Sequence, residues 1–223
     1  IDGKVARTRS RPIPSGAVTV KQALAWMVGQ MLLALLILLS FNQAAIAMGV
    51  LALLPVAVYP FAKRFTWWPQ VFLGLAFNWG AMLAWTAHAG TLHAPAVVLY
   101  LAGIAWTLFY DTIYAHQDAE DDALIGVKST ARLFGENSGK WLRRFLMATV
   151  GLMGIAVIYA GLPEASVLAL AIALGGPWAM GWHMAWQLRG LDTKDNAKLL
   201  QLFRANRDTG MIPLLFFAAS LLA

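Results

Sequence analysis

The distribution of positive charge along the chain is the feature that most constrains its fold. All 17 Lys and Arg residues fall into four clusters that are separated by pairs of long apolar stretches, at residues 4–21, 63–64, 128–144 and 189–207. The connections inside each pair, near Asn42, at residues 88–93 and near Pro163, contain no Lys or Arg. Because basic residues in short loops mark the cytoplasmic side of a membrane protein, an out-and-back path of the chain places every cluster on that side.

Composition supports a membrane protein. The chain is 60% hydrophobic and 13% charged, whereas soluble domains average about 45–50% apolar and about 25% charged residues. The net charge of +6 is explained by this topology better than by nucleic-acid binding, which requires a basic patch on a soluble surface. The absence of cysteine excludes disulfides and thiolate metal sites.

Seven apolar stretches are long enough, or nearly so, to cross a bilayer, which takes about 20 helical residues. They are too long for strands and do not alternate with period two, so we predict an all-α transmembrane bundle. The predicted spans are 22–41, 44–62, 70–88, 94–114, 144–161, 166–187 and 209–223. The loops expected on the cytoplasmic side lie near residues 1–21, 63–69, 115–143 and 188–208.

The most informative segment lies at the cytoplasmic end of the fourth span and carries five carboxylates between Asp111 and Asp122. If the helix continues through it, the 3.6-residue turn places Asp118 and Asp122 within roughly 20° of Asp111 on one face. Tyr114 lies beside that face. Carboxylates one turn apart repel each other and are costly near a bilayer, so we expect a cationic partner.

Either a divalent metal or the basic clusters on the same side can supply that positive charge. Oxygen ligands without His or Cys suit Mg²⁺, which one or two carboxylates commonly hold together with substrate phosphates. The basic residues could then bind an anionic diphosphate, and the available ones are Arg7, Arg9, Arg11, Lys63, Arg64 and Lys128. The alternative is an acidic helix end that neighbouring Lys and Arg residues neutralise without a ligand.

Four spaced segments resemble one known family. The pattern Asp111-x-x-Tyr114-Ala115-x-x-Asp118-x-x-x-Asp122, followed by residues 125–130, resembles the second aspartate-rich motif of the UbiA superfamily of membrane prenyltransferases. Within it, the chain is most similar to the 4-hydroxybenzoate polyprenyltransferases of ubiquinone biosynthesis. Residues 2–16 resemble the end of the first motif and the loop after it, and residues 59–64 and 69–74 resemble the middle loop.

The resemblance implies a fold of nine helices around a central cavity. Residues 1–223 would hold the last seven of these helices as a single membrane-embedded domain that lacks the first two. The first motif of the family has the form Asn-Asp-x-x-Asp-x-x-x-Asp, of which this sequence contains only the last aspartate, Asp2.

The resemblance also implies Mg²⁺-dependent transfer of a polyprenyl group from its diphosphate to the ring of 4-hydroxybenzoate. The metal ligands would be Asp2, Asp118 and Asp122, and Arg64 would bind the carboxylate of the acceptor. The diphosphate would be bound by Arg7, Arg11, Lys63 and Lys128, while Asn78, Asp111 and Tyr114 would be polar groups of the cavity. We expect the protein in the bacterial inner membrane, in contact with lipid, with its active site facing the cytoplasm.

Three alternatives stay open. The acceptor could be another aromatic ring or a tetrapyrrole, because the sequence does not give the shape of the pocket. A cation transporter could use Asp118 and Asp122, but it should also carry ionisable groups near the bilayer midplane, and the predicted spans contain almost none. The third alternative is a non-catalytic membrane scaffold.

Overall fold

A computed structural model describes residues 9–161 and 165–223, which form helices, turns and loops without a strand. Eleven α-helices follow one another in these residues: α1 (Val20–Leu39), α2 (Gln43–Leu51), α3 (Leu53–Phe65), α4 (Pro69–Phe77), α5 (Trp79–Ala89), α6 (Ala94–Ala115), α7 (Ala119–Leu124), α8 (Thr130–Phe134), α9 (Ser138–Gly161), α10 (Val167–Arg189) and α11 (Asn196–Ser220).

These helices form seven crossings, as the sequence predicted. Helices α2 and α3 form one crossing with a joint at Ala52, and α4 and α5 form another with a joint at Asn78. The other crossings are α1, α6, α9, α10 and α11. Five helical segments of the described chain are long and apolar enough to span a membrane, so the all-α transmembrane class is confirmed.

Two helices begin earlier than the predicted spans. Helix α9 starts at Ser138 rather than at residue 144, and α11 starts at Asn196 rather than at residue 209. Their first turns carry Lys and Arg, which end an apolar span but do not end a helix. Asp195 caps α11 by accepting a hydrogen bond from the Lys198 amide at 3.0 Å. The connection predicted near Pro163 lies outside the described residues.

Helix α6 is the centre of the bundle. Its apolar window is 56% buried, whereas the window of α1 is 0% buried. Phe109 and Ile113 of α6 are fully buried and belong to the main apolar cluster, together with residues of α9, α10 and α11. Helix α1 therefore presents its whole apolar surface to its surroundings, while α6 positions side chains inside the protein.

Small residues allow the last three helices to approach one another closely. A Cβ atom at Gly181 of α10 would lie 2.7 Å from Cγ2 of Val150 on α9, and one at Gly176 would lie 3.0 Å from Cα of Pro213 on α11. Membrane helices commonly use glycine for such close approach, because apolar side chains gain little by leaving lipid.

The basic loops meet at one end of the bundle, which we call the basic end. The Lys128 amide donates to the carbonyl of Lys63 at 3.1 Å, which joins the end of α3 to the segment that follows α7. The ring of Trp68 packs edge-on against Trp141 of α9, with centroids 5.7 Å apart. Three stretches that are distant in sequence are thus held together beside the acidic segment.

Candidate active site

The acidic segment is not one continuous α-helix. Helix α6 ends at Ala115, a 3₁₀ turn covers His116–Asp118, and α7 begins at Ala119. The tighter 3₁₀ winding changes the angular positions predicted for a continuous helix. The carboxylates still converge, since the charge of Asp118 acts on both Asp111 and Asp122. Asp118 and Asp122 are only 9% and 5% exposed.

Lys63 is the cation that faces these carboxylates. Its Nζ lies 3.9 Å from Oδ2 of Asp122, and its charge also acts on Asp111. Within the described part of the chain, Oδ2 of Asp122 is buried and accepts no hydrogen bond. A buried carboxylate oxygen without a donor is energetically costly, so this atom is well suited to bind a cation.

Lys128 and Arg132 complete the positive side of the site. The Lys128 ammonium donates to the carbonyl of Phe65 at 3.4 Å and lies 5.9 Å from the ring centre of Trp67. Arg132 packs over the same ring at 5.3 Å and donates to the backbone carbonyls of Asp122, at 3.3 Å, and Val127. Both cations therefore border the loop that follows the carboxylates.

Sequence reasoning missed Arg132. Its position in the cluster at 128–144 was visible, but a basic residue in such a cluster is usually solvated. The sequence offered one indication of its position. Arg132 follows Asp122 by only ten residues, and the short loop between them ends at Ser129, the N-cap of α8.

Arg64 and Arg11 lie in different surroundings. Arg64 is exposed and its guanidinium packs over Phe61, 5.8 Å from the ring centre, on the outer side of α3. Of the two neighbouring cations, Lys63 reaches the carboxylates and Arg64 turns away from them. Arg11 is exposed in the turn before α1, where its carbonyl accepts from the Ser15 amide at 2.9 Å. Asp2 and Arg7 lie outside the described residues.

A cavity of about 830 Å³ opens between α4, α6, α10 and α11. Its wall includes the rings of Trp106, Tyr110 and Phe203. Asn78 also lines it and donates to the Thr107 hydroxyl at 2.8 Å. Tyr114, one turn beyond Tyr110, packs against Phe203 with ring centroids 4.3 Å apart. Asn78 therefore lines the aromatic cavity, whereas Tyr114 contacts its wall, through Phe203.

A second cavity of about 700 Å³ lies in the other half of the bundle, away from the basic end. It is enclosed by α6, α9, α10 and α11, and apolar side chains such as Leu99, Ala156, Leu170 and Phe217 line it. The cavity is chemically suited to a hydrocarbon chain and not to a charged group.

The described residues offer a pair of carboxylates for a metal rather than a complete site. No three His, Asp or Glu side chains are grouped tightly enough in residues 9–161 and 165–223 to hold a metal ion by themselves. Asp118 and Asp122 suit a hard cation such as Mg²⁺, which accepts one or two carboxylates and takes further ligands from water or phosphate.

Two solved structures have the same fold. The apo structure of a UbiA homolog from Aeropyrum pernix K1 superposes with a TM-score of 0.72 and 23% identity, over 99% of this chain and 78% of that one. A digeranylgeranylglyceryl phosphate synthase superposes with a TM-score of 0.60 and 21% identity, over 96% of this chain and 75% of that one. At these identities the likeness establishes the architecture.

Sequence relatives are considerably more similar. The mitochondrial 4-hydroxybenzoate polyprenyltransferase of Bos taurus is 46% identical over 213 residues, which are 95% of this chain and 55% of the relative. The proteins of that name from Arabidopsis thaliana and Homo sapiens are 45% and 43% identical, over 95% of this chain and 51% and 55% of their own lengths. The chain therefore spans about half the length of the curated relatives it matches.

These relatives correct the expected location. The one-sided basic clusters gave a topology but did not identify the membrane, and the bacterial inner membrane was the wrong choice. The similar proteins from cattle, a plant and humans are all named mitochondrial, which points to a mitochondrial membrane. The loops at the basic end are assigned to one side of that membrane by the same charge distribution.

Family membership follows from the match of a whole sequence profile and agrees with the four spaced segments and with the fold. The profile of the UbiA prenyltransferase family covers residues 1–207, and the chain belongs to that family.

Proposed function

We propose that the protein transfers a polyprenyl group from polyprenyl diphosphate to the ring of 4-hydroxybenzoate, a step of ubiquinone biosynthesis. The observation that carries the proposal is the cluster of Lys63, Asp118 and Asp122 at the end of α6, the helix whose Trp106 and Tyr110 line an aromatic cavity. The names of the relatives that are 43–46% identical supply the acceptor.

The charge balance of the site supports Mg²⁺ as the cofactor. Two cations act on the carboxylates: Lys63 on Asp111 and Asp122, and Arg132 on Asp122. A diphosphate adds several negative charges, so its binding requires further positive charge. Asp118 and Asp122 would hold Mg²⁺, together with Asp2 from the N-terminal segment. Bound there, the metal would stabilise the negative charge that grows on the departing diphosphate.

The basic side chains bind and orient the diphosphate in this proposal. Lys128 is fixed beside Lys63 by the hydrogen bond between their backbones, so two ammonium groups approach the phosphates from one direction. Arg7 and Arg11 would approach from the N-terminal segment. The guanidinium of Arg64 packs over Phe61 in this structure and would turn toward the site to bind the carboxylate of the acceptor by a bidentate contact.

The aromatic cavity is suited to the intermediate of the reaction. When the C–O bond to the diphosphate breaks, both bonding electrons leave with the diphosphate and an allylic cation remains. The ring faces of Trp106, Tyr110 and Phe203 stabilise a nearby cation and exclude water. A ring carbon of the acceptor then forms the new C–C bond, and loss of the ring proton restores aromaticity.

The apolar cavity in the other half of the bundle would receive part of the polyprenyl tail. Asp111 and Leu99 are separated by twelve residues of α6, or roughly 18 Å along the helix axis. A tail that starts at the carboxylates would be long enough to reach that cavity if it ran along α6.

A product assay tests the proposed function. Membranes that contain the full-length protein are incubated with polyprenyl diphosphate, 4-hydroxybenzoate and Mg²⁺, and the prenylated acid is identified by mass spectrometry. Parallel reactions contain a naphthoate or homogentisate in place of 4-hydroxybenzoate. Prenylation of 4-hydroxybenzoate at the highest kcat/KM supports the proposal, and preference for another acceptor refutes the assignment.

A further inference from the structure

A buried glutamine connects the acidic segment to two loops at the basic end. Gln70 is the second residue of α4, 1% exposed, and therefore shielded from both lipid and water. Its side-chain Oε1 accepts a hydrogen bond from the Thr130 backbone amide at 3.2 Å. The same side chain also interacts with the carboxylate of Asp111. One amide group thus contacts both the carboxylate end of α6 and the start of α8.

The two partners fix the orientation of that amide group. A backbone N–H can only donate and an ionised carboxylate can only accept. The oxygen of Gln70 must therefore face Thr130, and its NH₂ group must face Asp111. A flipped amide would lose both bonds, so Gln70 holds its partners in one relative position.

The contact with Thr130 satisfies a requirement of helix α8. The first amides of a helix have no acceptor inside the helix, and Thr130 is the first residue of α8. The Ser129 side chain caps the Arg132 amide, while Gln70 accepts from the Thr130 amide. The start of α8 is therefore anchored to α4 from across the site.

Two further bonds reinforce this connection. The hydroxyl groups of Thr112 and Thr130, both fully buried, are 2.7 Å apart. Two residues before Thr130, the Lys128 amide donates to the carbonyl of Lys63 at 3.1 Å. We call the bonds among Gln70, Asp111, Thr112 and Thr130 the polar clasp.

We infer that Gln70 is a positioning residue for the diphosphate site, which rests on the function proposed above. Through the polar clasp it sets the position of Lys128 relative to Asp111 and Lys63. Gln70 does not need to touch the substrate. Without Gln70, the loop that carries Lys128 moves away from the carboxylates and the diphosphate binds more weakly. The affinity for the acceptor does not change.

Two substitutions at Gln70 separate its two bonds. Gln70→Leu removes both of them. Gln70→Glu keeps an oxygen that accepts from Thr130 and replaces the donor to Asp111 with a second carboxylate. A matched pair tests the hydroxyl contact, because Thr112→Val removes a bond of the clasp, whereas Thr149→Val removes an equally buried hydroxyl that bonds to Phe145 of its own helix.

The first measurement is hydrogen–deuterium exchange of the full-length protein in membranes, which does not depend on activity. In Gln70→Leu, the amides of residues 125–134 should exchange about tenfold faster or more, as expected for the loss of a bond to a buried amide. Thr112→Val should accelerate the same segment, whereas Thr149→Val and Gln70→Glu should leave it within about threefold of wild type. Unchanged exchange in Gln70→Leu overturns the inference.

The second measurement is steady-state kinetics with each substrate varied in turn. Gln70→Leu and Gln70→Glu should raise KM for polyprenyl diphosphate about 10- to 100-fold, the range for removal of a hydrogen bond to a charged group. KM for 4-hydroxybenzoate should change less than about twofold. Equal increases for both substrates, or a similar increase in Thr149→Val, would show a general structural effect and overturn the inference. If wild type does not prenylate 4-hydroxybenzoate, the proposed function fails, and the exchange data still decide whether Gln70 positions the loop.

Discussion

Asp122→Asn is predicted to abolish activity without destabilising the protein. Asp122 is buried, its Oδ2 accepts no hydrogen bond among the described residues, and the charge of Asp118 acts on it unfavourably. Such an arrangement is unfavourable for stability and is useful only if a cation binds. The neutral amide keeps the volume of the side chain and removes the charge.

The size of the effect follows from two opposing contributions. A buried carboxylate without a donor to one oxygen costs about 1–3 kcal/mol, and the neutral amide avoids the part of this cost that arises from the charge. The ion pair between Asp122 and Lys63 stabilises the folded protein by about 1 kcal/mol or less, because Lys63 is 44% exposed and its charge is partly screened by solvent. The asparagine variant should therefore be about 0–2 kcal/mol more stable. At about 2–4 °C per kcal/mol for a chain of this size, Tm should rise by about 0–8 °C.

Thermal unfolding of the purified full-length protein, followed by tryptophan fluorescence without Mg²⁺, measures the stability change. Prenyl transfer in membranes should fall below about a tenth of the wild-type rate, a loss above 1.4 kcal/mol of transition-state stabilisation. The control is Asp192→Asn in the exposed turn before α11, which should change neither quantity appreciably. A clear decrease in Tm would make Asp122 a structural residue, and retention of more than a tenth of the rate would remove it from the site.

Three further predictions concern topology, substrate contacts and packing. Reporters fused after Lys63 and at Gly90 should map to opposite sides of the membrane, because only the first position lies at the basic end; labelling of both from one side would disprove the span assignment. Lys128→Ala should mainly raise KM for polyprenyl diphosphate and Arg64→Ala that for 4-hydroxybenzoate, as steady-state kinetics will show; an effect of Arg64→Ala on the diphosphate alone would place Arg64 in the phosphate site. Gly181→Leu should lower the free energy of unfolding by about 1–3 kcal/mol through overpacking at the α9–α10 contact; an unchanged Tm would mean that the two helices can move apart.

The features predicted correctly from sequence depend on local pattern. Apolar length sets the number of long helical units. The spacing of Asp111, Asp118 and Asp122 over three helical turns indicated a shared face, and their electrostatic proximity survives the 3₁₀ turn between them. Such signals need only the order of residues along one segment.

The features that were missed depend on contacts between distant segments. Lys63 and Arg64 are adjacent, so they point about 100° apart on α3, and the rotation of α3 against α4 and α6 decides which one faces the carboxylates. The sequence offered both side chains as ligands for an anion, and only the packing brings Lys63 within 3.9 Å of Asp122. Gln70 is a similar case, since its partner Thr130 is 60 residues away and nothing near Gln70 in the sequence indicates that contact.

Two of the interruptions of the transmembrane helices lie at residues of the candidate site, and this agreement links the fold to the chemistry. Helix α6 changes to a 3₁₀ turn at His116–Asp118, where the buried carboxylates lie. The joint between α4 and α5 falls at Asn78, which lines the aromatic cavity and bonds to Thr107 of α6. Neither joint contains proline, so local sequence does not force the break. Irregular backbone at membrane depth is tolerated only where protein or a cavity satisfies its polar groups, and a site for a diphosphate at the edge of a bilayer requires such polar groups. At these two breaks regular helix is interrupted and polar groups lie at the candidate site, where they would surround the diphosphate of the proposed function.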